Sequence, residues 1–129
     1  KRALDAGDLD KAIRQIDIVF STIPHQIFEN RREGFFHAVL HLTFQGLGLL
    51  TESEVSTNVG RVDTVVHAKS AIYVMEFKLD GTAEAALAQI REKQYATRWL
   101  GQGKPVIALG ISFSSETRTV ADWKDEKYS

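Results

Sequence analysis

Apolar positions change period twice along this chain, and those changes mark out its elements. Asp8 or Asp10 can cap a first helix. Ile13, Ile16, Val19 and Phe20 recur at helical spacing behind it, while Asp17 falls outside that stripe and is expected to face solvent. Pro24 closes the segment, because the residue before a proline avoids helical geometry. Phe36, Val39, Leu40 and Phe44 predict a second helix from about Asn30 to Gln45, stopped by Gly46 and Gly48. The pattern then shortens. Leu50 to Ser56, Arg61 to His67 and Ala71 to Leu79 read as three strands joined by short turns, an antiparallel meander. In the second strand Val62 and Val66 share one face and Asp63 lies on the other. Asp80-Gly81-Thr82 leads into a long helix, about Ala83 to Leu100, rich in good helix formers and ended by Gly101 and Gly103. Pro105 to Ser112 is nearly continuous in apolar residues, as a strand buried on both faces is. Thr117 to Trp123 is a last, more polar strand. A strand–helix–strand step after a meander predicts an α/β, mixed-sheet architecture with helices on both sides.

Composition narrows the class. The chain has 129 residues, enough for one domain with one core. It contains no Cys, which excludes a disulfide framework or thiolate metal site and makes a reducing cytoplasm the expected compartment. No apolar run has the length of a membrane span, so no membrane partner is expected. The formal net charge is −1. A domain that bound nucleic acid tightly by bulk charge alone would be strongly basic, so affinity has to come from a local patch or a neighbouring domain. The first residue is Lys1, and the opening reads as the interior of a longer polypeptide. Residues 1–28 are accordingly expected to be a helical lead-in from an upstream domain, and residues 29–129 the functional domain.

Candidate chemistry concentrates in two stretches. Gly60-Arg61-Val62-Asp63 puts a carboxylate near the start of one strand, and Tyr73-Val74-Met75-Glu76-Phe77-Lys78 puts Glu-x-Lys near the end of the next. Glu76 and Lys78 are two residues apart, so they leave the same face of a strand. Mg²⁺ or Mn²⁺ takes hard oxygen ligands, and two carboxylates on adjacent strands can provide them. A bound cation lowers the pKa of its water towards neutrality, which is the basis of metal-dependent phosphodiester hydrolysis. Glu-x-Lys alone is equally the mark of an exposed strand with incidental ion pairing. The combination with Arg61-Val62-Asp63 and a following helix that carries Gln89 and Tyr95 gives it weight.

These stretches resemble the PD-(D/E)XK nuclease superfamily in the form G-R-x-D … E-F-K. More narrowly, the chain is similar to the branch found C-terminal to an AAA-type ATPase-like domain in bacterial proteins. Arg32-Glu33-Gly34-Phe35-Phe36-His37, Ala86-Leu87-Ala88-Gln89-Ile90 with Tyr95, Ala108 through Ser114, and Val120 through Trp123 also fit that branch. Val62 stands where the superfamily's name-giving proline would be, a position that varies. The resemblance implies a restriction-endonuclease-like core, a central mixed sheet flanked by helices. It implies a Mg²⁺- or Mn²⁺-dependent nuclease acting on nucleic acid, DNA above RNA, with an ATPase-like domain upstream. It assigns Asp63, Glu76, the Phe77 backbone carbonyl and Glu33 to the metal. Lys78 would orient the water and stabilise developing charge, and Gln89 would border the site.

Other residues have two readings. Glu33 stands three residues after Asn30, so it serves either a capping box or the metal. His37 and His41 continue its face and are first read as packed or solvated histidines. Glu52 and Glu54 are the alternating polar residues of a half-exposed strand, and Arg61 either reaches a phosphate or braces Asp63. Gln89 and Tyr95, six residues apart, diverge by about 120° on a helix, so they do not aim at one atom. Arg91, Tyr95 and Arg98 form either a solvated face or a track for a phosphate backbone. Trp99, Phe113 and Trp123 are read as packing. Two functions remain open: a nuclease, or a nuclease-like domain with little cleavage of its own that binds or regulates for an attached ATPase-like domain.

Overall fold

The computed structural model describes residues 2–21, 50–57, 60–93, 96 and 99–128. The helix expected at about 30–45, with Glu33, His37 and His41, lies outside these residues. The described elements are α1 (Arg2–Asp5), α2 (Leu9–Ser21), β1 (Leu50–Thr57), β2 (Gly60–His67), β3 (Ile72–Leu79), α3 (Ala83–Lys93), β4 (Val106–Ser114) and β5 (Thr119–Tyr128). The five strands form one sheet in the order β1-β2-β3-β4-β5. β1, β2 and β3 are antiparallel neighbours; β3 and β4 are parallel, joined through α3; β5 returns antiparallel to β4. This is the mixed sheet that the periodicity predicts.

Both central strands are buried on both faces, so their side chains sort by parity into two cores. Tyr73, Met75 and Phe77 of β3, with Leu109, Ile111 and Phe113 of β4, meet Ile13, Ile16 and Phe20 of α2. Ile72 and Val74, with Val106 and Ala108, meet Leu87 and Ile90 of α3, and Ala96 and Trp99 close that side. On the α2 side Phe20 and Phe77 converge on Phe113, with ring centroids 4.5 and 5.9 Å from it. Such pairing contributes about 0.5–1.5 kcal/mol beyond area burial.

Residues 2–21 share the first core with the sheet. Asp8 caps α2, accepting from the Lys11 N–H at 3.1 Å. Asp5 accepts from the Lys69 N–H at 2.8 Å, and Tyr73 and Ser70 both donate from their hydroxyls to the Leu4 carbonyl. These bonds tie α1 to the β2–β3 turn.

Three local expectations change. Asp17 is half-buried and does not simply face solvent: its Oδ1 accepts from the Val120 N–H of β5 at 2.9 Å. The described α-helix ends at Lys93, not at Leu100; Ala96 and Trp99 lie in tighter 3-10 geometry and point into the core. Gly101 and Gly103, both with positive φ, then make the turn into β4. β5 runs on to Tyr128, five residues past Trp123. An edge strand with exposed residues on both faces has no hydrophobic signature, and only its ladder to β4 reveals it. A register shift between Ser112 and Phe113 breaks that ladder.

Candidate active site at the end of the third strand

β3 carries Glu76 and Lys78 on the face covered by α3. Glu76 is only 4% exposed, and Lys78 is half-buried. A carboxylate is seldom so deeply buried without charge or hydrogen-bond compensation. Gln89 provides it. Its Nε2 donates to Glu76 Oε1 at 2.8 Å, and its Oε1 accepts from Lys78 Nζ at 2.7 Å. An ionised carboxylate only accepts and an ammonium only donates, so these partners fix which way the amide points. One side chain thus spans two opposite charges. Bonds to charged groups are the stronger kind, and here all three groups lie in or near the core.

The closeness of α3 to the sheet makes this reach possible. Gly110 is the register partner of Glu76 on β4. A Cβ placed on Gly110 would lie 2.6 Å from the Ala83 carbonyl oxygen, 3.0 Å from Ala86 Cβ and 3.1 Å from the Leu87 nitrogen. Glycine therefore lets the helix backbone settle directly on the strand, as glycines inside strands often do. The buried Ala83 and Ala86 extend the small-residue seat. Gln89 lies less than one turn beyond Ala86 and so comes over Glu76 and Lys78.

The turn into α3 is fixed with similar care. Thr82 caps the helix, accepting from the Ala85 N–H at 3.0 Å. The Ser112 hydroxyl donates to the Gly81 carbonyl at 2.7 Å, and Ser112 is the register partner of Lys78. Asp80 donates its backbone N–H to the Phe113 carbonyl at 2.7 Å. Backbone and side-chain bonds thus hold the chain just after Lys78.

Asp63 is placed by its backbone. It stands on β2 next to Thr64, the register partner of Met75, so continuing the antiparallel ladder by one residue sets the Asp63 backbone opposite that of Glu76. Among the described residues no group of three or more His, Asp or Glu side chains comes together. Among the described side chains the Glu76 carboxylate is a hard oxygen donor, of the type that Mg²⁺ and Mn²⁺ accept together with main-chain oxygens. Tyr95 and Arg98 lie outside the described residues. Arg91 belongs to the other side of α3: it bonds Glu126 at 3.0 Å and Glu84 at 2.8 Å, and Lys124 approaches Glu84 at 3.5 Å. The hydrogen bonds to Glu84 and Glu126 raise the Arg91 pKa, and the bond to Arg91 lowers that of Glu84. This is a surface ion-pair network, not a free track of cations.

The sequence contains signals for what was missed. Glycine in an otherwise apolar strand pointed to the close approach at Gly110, and Asp80-Gly81-Thr82 is a turn-and-cap signature. The pair of hydrogen bonds that Gln89 makes to Glu76 and Lys78 had no local signal, because it depends on where α3 docks.

The model of the PD-(D/E)XK nuclease superfamily matches residues 31–123, and the chain belongs to that superfamily. Its mixed sheet with flanking helices is the restriction-endonuclease-like fold. The chain is also 36% identical over 107 residues to an uncharacterized protein in the vnfD 5′ region of Azotobacter chroococcum mcd 1, a match that covers 78% of this chain and 21% of that protein. The chain therefore spans about a fifth of that relative's length. No solved structure matches it. No described helix is long and apolar enough to cross a membrane.

Proposed function

We propose that this domain hydrolyses phosphodiester bonds in nucleic acid, DNA in the first place, with Mg²⁺ or Mn²⁺ as cofactor. The observation that carries the reading is the bonded series Glu76–Gln89–Lys78 at the end of β3. Asp63, Glu76, the Phe77 carbonyl and Glu33 would hold the cation, which when bound supplies Lewis acidity towards a phosphoryl oxygen and an acidified water. The chain's own residues do the rest. Lys78 carries the positive charge that a phosphate oxygen meets as negative charge develops. Gln89 holds that ammonium and the Glu76 carboxylate in one geometry, so it acts as a positioning residue. Gly110 and the capped turn at Thr82 keep α3 close enough for it to do so.

The absence of Cys agrees with a reducing compartment, and we place the domain in the cytoplasm. An ATPase-like domain on the same polypeptide is the partner that this reading carries; the longer Azotobacter relative leaves room for one. Cleavage of linear, circular and single-stranded DNA, with Mg²⁺ and with Mn²⁺, tests the proposal. Activity should vanish in both Asp63→Ala and Lys78→Ala. Metal binding without cleavage of any substrate would favour the regulatory alternative instead.

A further inference from the structure

Two turns close the end of the sheet at which Lys78 lies. One, around Asp80 and Gly81, joins β3 to α3; the other, residues 115–118, joins β4 to β5. Each holds a non-glycine residue in the left-handed region, Asp80 at φ 61° and Arg118 at φ 57°, and no other described non-glycine residue has positive φ. Such backbone is costly for a residue with a Cβ and persists where the surroundings impose it, often beside functional sites.

Asp80 has a visible reason. Its Oδ1 accepts from the Ser115 N–H at 2.9 Å and its Oδ2 from the Ser115 hydroxyl at 2.6 Å. Aspartate also tolerates the left-handed region better than most residues. The same two bonds clamp the second turn onto the first. Within the second turn the Arg118 N–H donates to the Ser114 carbonyl at 2.8 Å, and the Thr117 and Thr119 hydroxyls bond each other at 2.7 Å. The turn is therefore ordered and tied to the segment that follows Lys78.

Arg118 occupies a turn position that favours glycine or asparagine. Its guanidinium enters no hydrogen bond or ion pair among the described residues. Arg91, on the outer face of α3, has two carboxylate partners. A left-handed arginine with its charge uncommitted among the described residues, on an anchored turn beside Lys78's end of the sheet, is placed for an external anion. We infer that Arg118 contacts the phosphate backbone of bound nucleic acid next to the cleavage site, and that the 115–118 turn is part of the nucleic-acid interface. Arginine's planar fork suits a phosphate, and such a contact gives affinity and register without sequence preference. The inference rests on the nuclease reading and adds a substrate contact to it.

The test is binding, read separately from cleavage. Dissociation constants of the full chain for a labelled DNA duplex and a labelled single strand are measured with Ca²⁺, over roughly 50 to 200 mM salt. The parent is compared with Arg118→Gly and Arg118→Lys. Glycine suits the left-handed backbone, so the first variant removes the charge without straining the turn. Arg118→Gly is expected to bind roughly five- to tenfold more weakly, with a salt slope smaller by about 0.9 on duplex or about 0.7 on single strand. Arg118→Lys should recover most of the slope. An unchanged affinity and slope in Arg118→Gly would overturn the inference, and with a parent that binds or cleaves would leave the nuclease reading intact. A parent that neither binds nor cleaves either DNA would overturn both.

Discussion

Helix α3 presents two sets of charged partners on opposite sides, and they behave differently. On its inner side Gln89 joins Glu76 to Lys78 within and beside the core. On its outer side Arg91 joins Glu84 to Glu126, with side chains 35 to 52% exposed. Bond lengths are similar in both sets, so length does not tell them apart. Surroundings do. Water and salt screen the outer pairs, and exposed pairs of this kind contribute little to stability. Of the inner groups Glu76 has given up its water and Lys78 and Gln89 are half-buried, so the carboxylate depends on its partner, and losing it costs more. The outer network helps dock β5 against α3. The inner one fixes the position of groups that can do chemistry.

Breaking the inner set should have the largest effect. Gln89→Ala takes a donor from a buried carboxylate and the acceptor from the Lys78 ammonium. It should lower DNA cleavage by on the order of 10²-fold, as expected when a supporting group is lost, and destabilise the fold by about 1–3 kcal/mol. Steady-state cleavage and a urea melt measure the two effects. A variant that cleaves like the parent would show that the amide only fills space.

Next comes the seat beneath it. In Gly110→Ala the new methyl meets helix backbone at 2.6 Å, and backbone cannot swing aside as a flexible side chain can. The helix must lift, at a cost of about 1–3 kcal/mol from overpacking. Because Gln89 moves with it, cleavage should fall further than the lost stability explains. A stability loss with full activity would separate helix seating from the site.

The outer set should respond least. Arg91→Ala should leave both stability and cleavage close to those of the parent, as thermal melts and initial rates will show. Tyr128 gives a pH signature on the same side. Burial first, then its hydrogen bond to Glu126, push its pKa from 10.0 to about 12. An acid with a raised folded-state pKa contributes stability that is fully present below the unfolded value and is lost as pH rises through the folded one. Tyr128 should therefore weaken the fold progressively between about 10 and about 12, a loss that Tyr128→Phe should remove in alkaline denaturation followed by circular dichroism.

The same contrast explains what the sequence disclosed. Periodicity was enough for α2, the meander, the doubly buried β4 and the crossover through α3, because burial on a fixed face writes itself into apolar spacing. The shared strand face of Glu76 and Lys78 was legible through their two-residue spacing, and the superfamily resemblance rested on Arg32 to His37, Gly60 to Asp63, Tyr73 to Lys78, and Ala86 to Ile90 with Tyr95. Three features were not legible. β5 continues as a charged edge strand, whose pairing is a property of β4's backbone. Asp17 lies off the apolar stripe of α2 yet bonds Val120, more than a hundred positions away. Gln89's reach to both Glu76 and Lys78 depends on how closely α3 settles on Gly110. Each is a long-range contact made by polar groups, which have no periodicity to betray them.

The most direct measurement is a side-by-side cleavage assay on linear DNA in Mg²⁺ with the parent chain, Lys78→Ala and Arg91→Ala, all confirmed folded by circular dichroism. The expected result is cleavage by the parent, none by Lys78→Ala and parental rates for Arg91→Ala. Cleavage that survives in Lys78→Ala, or that falls equally in both variants, would contradict the assignment of catalysis to the inner side of α3.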